Sequence, residues 1–174
     1  MRVIAGDLGG RRIQSPKGST IRPTSDRVRE AIFNTLFSMG ALESSQVLDL
    51  VAGSGAMGIE AWSRGAAHCT FVDRDPDAIA LIEANLASLG IDDRATVVRS
   101  DARAQLDRSG PLDLVLVDPP YRFDGFAELL EAVDTDLLVV EAGGPVDLGP
   151  GWRMEKERTY GTTVVAYARR VTKA

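Results

Sequence analysis

Cysteine and histidine are nearly absent from this sequence, whose 174 residues include one of each, Cys69 and His68. A single cysteine excludes an internal disulfide and a metal site built from a cysteine cluster. A single histidine argues against a His-based zinc site and against a catalytic triad. We therefore expect no metal, and we place His68 in a surface loop between a helix and a strand. So little cysteine fits a reducing, cytoplasmic setting.

Long apolar runs are also missing. No stretch approaches the roughly 20 apolar residues that cross a bilayer, and the first residues lack the apolar segment of a secretory signal. We therefore expect a cytoplasmic chain with no membrane partner. The apolar content of 44% and the charged content of 26% are ordinary for a globular protein. A chain of this length is expected to form one domain with a sizeable core.

Charge is unevenly distributed along the chain, although the net charge is −5. Residues 1–29 carry seven basic and two acidic side chains, a local charge of +5 that leaves −10 for the remainder. The basic residues are Arg2, Arg11, Arg12, Lys17, Arg22, Arg27 and Arg29. This asymmetry favours a basic arm that binds nucleic acid. The alternative is a solvated positive face with no partner.

Hydrophobic periodicity predicts the order of strands and helices. Residues 2–5 and 11–14 flank a glycine-rich loop, which predicts a β-hairpin. Apolar residues at helical spacing predict a helix over residues 25–38, which Gly40 ends. The remaining predicted strands are 46–51, 70–73, 96–100, 112–117 and 136–141, with helices at 55–63, from 76 to a stop at Gly90, at 102–108 and at 126–133, and a closing hairpin of 152–157 and 162–169.

Alternating strands and helices with apolar strands are typical of an α/β fold. We predict a doubly wound, mainly parallel, Rossmann-like sheet with an antiparallel C-terminal hairpin. We divide the chain into a small N-terminal hairpin and helix extension, residues 1–40, and a main domain, residues 41–174. The extension carries seven of the 20 basic residues and is the predicted nucleic-acid-binding part.

Three arginines surround the start of the first predicted helix. Arg22, Arg27 and Arg29 are unfavourably placed if only the helix dipole acts on them, because the N-terminus of a helix is already positive. A bound anion such as phosphate would contact both the helix N-terminus and the guanidinium groups. The alternative is intramolecular, with Arg27 or Arg29 paired to Asp26, Glu30 or a core carboxylate.

A glycine-rich turn follows the strand at 46–51. The spacing Gly53-x-Gly55-x-x-Gly58, after a strand and opening a helix, matches the nucleotide-binding fingerprint. Glycines at these positions permit a tight turn and a close approach of the backbone to a ligand. The motif alone is weak, because many sheets carry such a turn only for packing.

Four aspartates lie in or at the ends of successive predicted strands: Asp49, Asp73, Asp101 and Asp118. Ligands of open α/β sheets bind at the carboxyl ends of the strands, where a carboxylate such as Asp73 accepts both hydroxyls of a ribose. Four carboxylates would repel a pyrophosphate and favour a ligand with a ribose, an adenine amino group and a positive charge. S-adenosylmethionine has these features. The alternative is that each aspartate only ends a strand or caps a helix.

The last of these acids begins the tetrapeptide Asp118-Pro119-Pro120-Tyr121. Consecutive prolines fix φ and remove two backbone donors, so the carbonyls of Asp118 and Pro119 stay available to accept hydrogen bonds from a ligand. A carboxylate, a fixed carbonyl and an aromatic ring together suit a planar group that bears an NH2. The alternative is a turn that ends the strand and leaves Asp118 solvated.

These motifs carry a resemblance to a known family. Residues 47–55 together with the tetrapeptide at 118–121 resemble class I amino-group methyltransferases, which methylate exocyclic nitrogens of bases or a glutamine amide. The segment 21–34, Ile-Arg-Pro-Thr-Ser-Asp-Arg-Val-Arg-Glu-Ala-Ile-Phe-Asn, is more specific. It closely resembles the RsmD family of bacterial 16S ribosomal RNA guanine-N2 methyltransferases, over essentially the whole chain. One departure is Val51-Ala52, where relatives tend to have Phe-Ala.

The resemblance implies an enzyme that methylates a specific guanine of 16S ribosomal RNA with S-adenosylmethionine. The implied substrate is RNA in a small-subunit assembly particle, and the implied state is a monomer. The implied catalytic residues are Asp118, Pro119, Pro120 and Tyr121. The implied cofactor-binding residues are Asp49, Gly53, Ser54, Gly55, Gly58, Asp73, Arg74, Asp101 and Ala102. The implied RNA-binding residues are Arg22, Thr24, Arg27 and Arg29, with Arg2, Arg11 and Arg12 as a weaker outer set.

Other functions stay open on the residues alone. The tetrapeptide is shared with some enzymes that methylate adenine N6 in DNA, and a protein amide is a further possible acceptor. An NAD-dependent oxidoreductase would need a proton-transfer residue in the pocket and no carboxylates near the pyrophosphate. A non-catalytic RNA-binding module would keep the basic arm and a vestigial pocket.

Overall fold

A computed structural model of the protein describes residues 1–16, 25–119 and 126–171. The helices are α1 (Asp26–Ser38), α2 (Ala56–Ser63), α3 (Pro76–Leu89), α4 (Ala102–Leu106) and α5 (Phe126–Ala132), with a 3-10 turn at Asp92–Arg94. The strands are β1 (Gln46–Leu50), β2 (His68–Asp73), β3 (Ala95–Arg99), β4 (Leu114–Val117), β5 (Leu137–Ala142), β6 (Trp152–Tyr160) and β7 (Thr163–Arg170).

The seven strands form one sheet in the order β3-β2-β1-β4-β5-β7-β6. Strands β1 to β5 are parallel, and β7 pairs antiparallel with both β5 and β6. The predicted doubly wound sheet with an antiparallel C-terminal hairpin is therefore confirmed. The strand order reverses between β1 and β4, and such a reversal opens a crevice at the carboxyl ends of the two strands.

Both faces of the sheet are covered, which explains the apolar strands. In β4, Leu114 and Leu116 belong to a core cluster that contains side chains of α1, α2 and α3. Their neighbours Val115 and Val117 belong to a second cluster with side chains of α4 and α5. Because successive side chains of a strand point to opposite faces, these two clusters are the two helical layers.

The N-terminal hairpin is shorter than predicted. Its two sides form one antiparallel bridge, Arg2 with Arg12, and the Val3 N–H donates to the Arg11 carbonyl at 2.9 Å. Val3 and Ile13 are buried in the same core cluster as α1 and the sheet. Because the extension and the sheet share one core, a boundary at residue 40 stays a hypothesis about function.

Helix α1 begins and ends as predicted. The Ser25 hydroxyl accepts a 3.3 Å hydrogen bond from the Val28 N–H, which caps the first turn. Gly40 follows the helix with φ of 65°, a conformation that favours glycine.

The prediction for His68 is wrong, because His68 is the first residue of β2 and its Nε2 lies 2.9 Å from the Thr96 hydroxyl of β3. The strand starts two residues earlier than predicted, because His68 and Cys69 pair with Gln46 and Val47 of β1. Within the three described ranges, no helix is long and apolar enough to cross a membrane.

Candidate active site

The candidate site lies where β1 and β4 end side by side. Leu50 at the end of β1 pairs with Val72 of β2 on one side and with Val117 of β4 on the other. The residues that follow these strands therefore meet at one edge of the sheet. The glycine loop after β1, Asp73 at the end of β2 and Asp118 after β4 are neighbours, as their positions in the sequence predict.

The glycines of the loop have separate structural roles. Gly53 and Gly55 have φ of 57° and 76°, values at which a side chain is strained. A Cβ at Gly53 would meet no atom within 4 Å, so the space beside it is open to a ligand. A Cβ at Gly58 would overlap the Phe71 ring and lie 2.6 Å from the Cys69 sulfur. Gly58 therefore permits close packing of α2 on β2, as the fingerprint requires.

Val51, which starts the loop, has a strained backbone. Its φ of 60° is a true outlier for a β-branched residue. The left-handed conformation costs about 1–2 kcal/mol in a residue with a Cβ. The Val51 side chain packs partly buried against the second core cluster, which helps to hold this conformation. The strain lies at the start of the loop that the fingerprint assigns to a ligand.

Asp49 lies beneath the loop and is 2% exposed. Its Oδ2 accepts a 2.8 Å hydrogen bond from the Gly58 N–H. Gly55, the N-cap of α2, has no side chain to cap the helix, so the strand supplies the capping carboxylate. Burial raises the pKa of Asp49 well above its usual value; the Gly58 bond lowers it, and the charges of Asp118 and Asp73 raise it further. The register of β1 with β2 and β4 brings these three carboxylates to one edge of the sheet.

Asp73 anchors the other side of the loop and is 8% exposed. Its Oδ2 accepts from the Gly53 N–H at 2.9 Å, and its Oδ1 accepts from the Asp75 N–H at 2.9 Å. An ionised carboxylate has about four acceptor positions. Two acceptor positions are therefore used by the backbone, and two can serve a bound ligand.

Asp101 caps α4 in the way that the alternative interpretation describes. Its Oδ1 accepts from the Arg103 N–H at 2.9 Å and from the Ala104 N–H at 3.4 Å. Ala102 is buried as the first residue of this helix. Arg74 is exposed, and its carbonyl accepts a 3.4 Å bond from Arg99 Nε. These residues form the outer part of the same edge, since β3 lies beside β2.

The tetrapeptide is described only in its first half. Asp118 directly follows the buried strand β4 and is partly buried, and Pro119 is buried. Pro120 and Tyr121 lie outside the described residues, as do Arg22 and Thr24 of the basic arm.

Arg29 corrects one prediction, because its side chain is fully buried. Its Nη2 donates to Asp26 Oδ1 at 3.0 Å and also to the Arg2 carbonyl, and its Nε lies 3.9 Å from Glu60 Oε2. The expectation that Arg29 contacts a phosphate is therefore wrong for this structure. The spacing of three residues on α1 brings Asp26 to Arg29, and the buried Glu60 of α2 neutralises the charge.

Of the other basic residues, Arg11 is hydrogen-bonded within the fold, whereas Arg2, Arg12 and Arg27 are exposed. Arg11 donates to the carbonyls of Ser88 at 2.8 Å and Leu89 at 3.1 Å, where it stabilises the C-terminus of α3. Arg2 is 67% exposed in its side chain and lies 3.8 Å from Asp26. Arg12 and Arg27 are exposed. Exposed arginines near the start of α1 agree with a basic surface there.

The sequence did not reveal Asn85, a fully buried residue of α3. Its Oδ1 accepts from the Gln14 N–H at 2.7 Å, and its Nδ2 donates to the Ser54 carbonyl at 3.0 Å and to the Gln14 carbonyl at 3.2 Å. Asn85 thus ties the glycine loop to the N-terminal extension. The available signal was an amide directly before Leu86, on the apolar side of the helix.

Two further acids were missed, and both are buried. Glu60 accepts from the Ile4 N–H at 2.7 Å, from the Ala5 N–H at 3.1 Å and from Arg64 Nε at 2.7 Å. Glu141, near the end of β5, is 6% exposed. An acid in an otherwise apolar strand was the signal for Glu141.

Two cavities lie at opposite edges of the sheet, one of them at the edge of the candidate site. A cavity of about 510 Å³ lies at the same edge, between the start of α5 and residues 142–147. A larger one of about 780 Å³ lies away from the site, at the amino ends of β4 and β5. Among the described residues, no group of three or more His, Cys, Asp or Glu side chains is placed to hold a metal ion.

Comparison with known proteins identifies the family. The family model described as conserved hypothetical protein 95 matches residues 1–169. The chain is 37% identical to the Putative rRNA methyltransferase YlbH of Bacillus subtilis, covering 95% of this chain and 97% of that protein. It is also 37% identical to the Ribosomal RNA small subunit methyltransferase D of Escherichia coli, covering 96% and 87%.

A solved structure extends the likeness to the fold. The Putative methyltransferase yhhF from Escherichia coli superposes with a TM-score of 0.86 at 34% identity, covering 99% of each chain. The glycine loop, the acids around it and Asp118 thus lie in a chain whose full length follows one family of enzymes. The chain belongs to the conserved hypothetical protein 95 family, the RsmD family of methyltransferases.

Proposed function

We propose that this protein transfers a methyl group from S-adenosylmethionine to the exocyclic N2 of a specific guanine in 16S ribosomal RNA. The observation that carries the proposal is the register of β1 and β4, which places Asp118 beside the start of the glycine loop. Family membership supplies the class of reaction, and the names of the relatives supply the class of RNA.

The residues at this edge fit S-adenosylmethionine. Gly53 offers open space and a backbone that a ligand can approach, and Asp73 keeps acceptor positions suited to ribose hydroxyls. Asp101 and Ala102 would border the adenine, with Ser54, Gly55 and Arg74 completing the surroundings. A cluster of carboxylates suits a cationic sulfonium and disfavours a pyrophosphate. When bound, the cofactor supplies an electrophilic methyl carbon.

The residues after β4 would prepare the acceptor nitrogen. The lone pair of guanine N2 is conjugated into the ring, so the nitrogen is a weak nucleophile. The Asp118 carboxylate and the Pro119 carbonyl would accept hydrogen bonds from the two N–H groups of that amino group and so localise its lone pair. Tyr121 would stack on the base. Positioning and acceptor electrostatics are the expected sources of rate enhancement. The base must be unpaired or flipped to enter such a site.

The exposed basic residues would bind the RNA backbone. Arg27 is the best candidate among the described residues because it is exposed at the start of α1. Arg22 and Thr24 complete the proposed contact, with Arg2 and Arg12 farther out. Arg11 and Arg29 are assigned to the fold instead. We further propose that the enzyme acts as a monomer in the cytoplasm on a small-subunit assembly particle.

The test is transfer of a tritiated methyl group to small-subunit particles from a strain that lacks the gene. Mapping and mass spectrometry of the modified base should give N2-methylguanosine at one position. N6-methyladenosine would support the alternative acceptor. Calorimetry with S-adenosylmethionine alone separates an enzyme from an RNA-binding module with a vestigial pocket, which would give no binding heat.

A further inference from the structure

Glu141 stands beside Asp118 at the edge that carries the candidate site. Val117 of β4 is paired with Val140 of β5, so the next residues along these parallel strands, Asp118 and Glu141, are neighbours. Both strands alternate in the same phase: Leu116 and Val139 lie in the core cluster of α1 and α2. Asp118 and Glu141 therefore continue on that same face, which is also the face from which Asp49 caps α2.

The surroundings of Glu141 are buried and polar. The side chain is 6% exposed. Its charge, together with that of Tyr160, acts on Tyr167 of β7, whose pKa is raised to about 12 mainly by burial. The Tyr167 hydroxyl is buried, and the Thr35 side chain beside it lowers the same pKa. Carboxylates are rarely buried unless their acceptor positions are used, and an ionised one offers about four.

Guanine is the base whose edge matches two adjacent carboxylates. It presents N1–H beside the N2 amino group, and both are hydrogen-bond donors. Adenine presents an unprotonated N1 at the equivalent place, and an acceptor facing a carboxylate is repelled. Asp118 alone would hold an amino group on either base, so a second acceptor is needed to tell them apart.

We propose that Glu141 determines the choice of base, accepting the guanine N1–H while Asp118 accepts from the N2 amino group. The inference rests on the proposed methylation of guanine N2 and adds the residue that reads the base. The contacts of Glu141 within the protein orient the carboxylate, and its remaining acceptor positions serve the base. Selectivity then comes from an acceptor that the wrong base leaves unpaired.

Base analogues test this assignment directly. After the target has been mapped, small-subunit particles are reconstituted with guanine or 2-aminopurine at that position. 2-Aminopurine keeps the reacting amino group but has an unprotonated N1 and no O6. The wild-type protein should show kcat/KM at least about 100-fold lower for 2-aminopurine, because a site built to accept a proton donor rejects an analogue without it.

Glu141→Gln shows whether Glu141 is responsible. The amide oxygen of Gln still accepts the guanine N1–H but carries no charge, so the variant should lose about 10-fold in kcat/KM on guanine. Its NH2 can turn toward an unprotonated N1, so kcat/KM on 2-aminopurine should stay the same or rise. The guanine preference should shrink at least about 10-fold. Glu157→Gln, an exposed residue of β6, is the matched control and should keep the wild-type preference.

Two results would overturn the assignment. Equal wild-type rates on the two bases would show that N1–H is not read, and an unchanged preference in Glu141→Gln would give Glu141 a role in the fold only. If Glu141→Gln does not fold, Glu141→Asp, which withdraws the carboxylate by one methylene, is measured in the same way. Failure of the proposed function gives a different result, since the wild-type protein would then form no N2-methylguanine at all.

Discussion

The carboxylate of Asp49 accepts a 2.8 Å hydrogen bond from the Gly58 N–H, so a residue of β1 caps the helix that follows the glycine loop. This bond joins β1 to α2 across the base of the loop. It is made by an acid whose pKa burial raises well above its usual value, with further contributions from Asp118 and Asp73.

Asp49 should make stability depend on pH in a predictable direction. A carboxyl whose pKa is raised by folding contributes stability below its unfolded pKa, and that stability is lost as the pH rises through the folded pKa. Asp49→Asn removes this titration. The free energy of unfolding is measured with urea between pH 5 and pH 8. Relative to the wild-type protein, the Asn variant should become more stable as the pH rises.

Asp49→Ala is the comparison that isolates the hydrogen bond. It leaves the Gly58 N–H without its acceptor, a loss of about 1–3 kcal/mol in the free energy of unfolding. Equal stability of the Asn and Ala variants would show that the cap contributes nothing.

Asp73→Ala should weaken S-adenosylmethionine binding by about 1.5–3 kcal/mol, the range for a lost hydrogen bond to a charged group. The structure adds a second reason, because the Gly53 N–H loses its acceptor and the loop loses an anchor. Asp75→Ala, which removes only the N-cap of α3, should lower the melting temperature and leave the affinity unchanged. Calorimetry that finds wild-type affinity in Asp73→Ala would contradict the assignment.

Gly53→Ala should prevent cofactor binding more than it lowers stability. An alanine at its φ of 57° costs about 1 kcal/mol, and its Cβ would enter open space. Gly10→Ala is a matched control, since Gly10 has φ of 83° and equally open space. The two variants should have similar melting temperatures, with cofactor affinity reduced only in Gly53→Ala. Loss of affinity in both variants would point to a general effect of strain.

Asp118→Ala should lower the rate of methyl transfer by orders of magnitude with little change in melting temperature or cofactor affinity. The reason is that Asp118 is expected to act on the acceptor nitrogen and not on the cofactor. Single-turnover kinetics measures the rate of the chemical step. An unfolded variant, or one with near-normal turnover, would mean that Asp118 only ends its strand.

Substitution of Arg27 and substitution of Arg29 should have different effects, although the two residues are only two positions apart. Arg27→Ala removes an exposed cation, so it should reduce the magnitude of the salt slope of RNA binding by somewhat under one and leave the melting temperature unchanged. Arg29→Ala removes the buried hydrogen bonds to Asp26 and to the Arg2 carbonyl, while Glu60 keeps its ion pair with Arg64, so the variant should lose about 1.5–3 kcal/mol of stability. The salt slope of the Arg29 variant should stay at the wild-type value. A reduced salt slope in Arg29→Ala would instead support the predicted contact between Arg29 and an RNA phosphate.

The sequence predicts the sheet and the identity of the site edge well because both depend on local patterns. Apolar strands such as Leu114–Val117, the spacing of Gly53 and Gly58, and an acid after a strand are all visible along the chain. The role of Arg29 depends on Glu60, which is 31 positions later and on another helix, and local spacing carries no signal for that pair. The capping bonds of Asp49 and Asp101 were hidden for a related reason, since the same acid at a strand end serves a helix or a ligand.

The side-chain amide of Asn85 bonds the backbone of Gln14 on one side and the carbonyl of Ser54 on the other. Gln14 leads directly into the segment that carries Arg22, and Ser54 is part of the loop proposed to hold the cofactor. The hairpin side that contains Gln14 and the glycine loop therefore share one buried amide, so a shift of either one would disturb the bonds of the other. A relative that shifted its hairpin to recognise another RNA would have to rebuild this amide contact or accept a displaced loop.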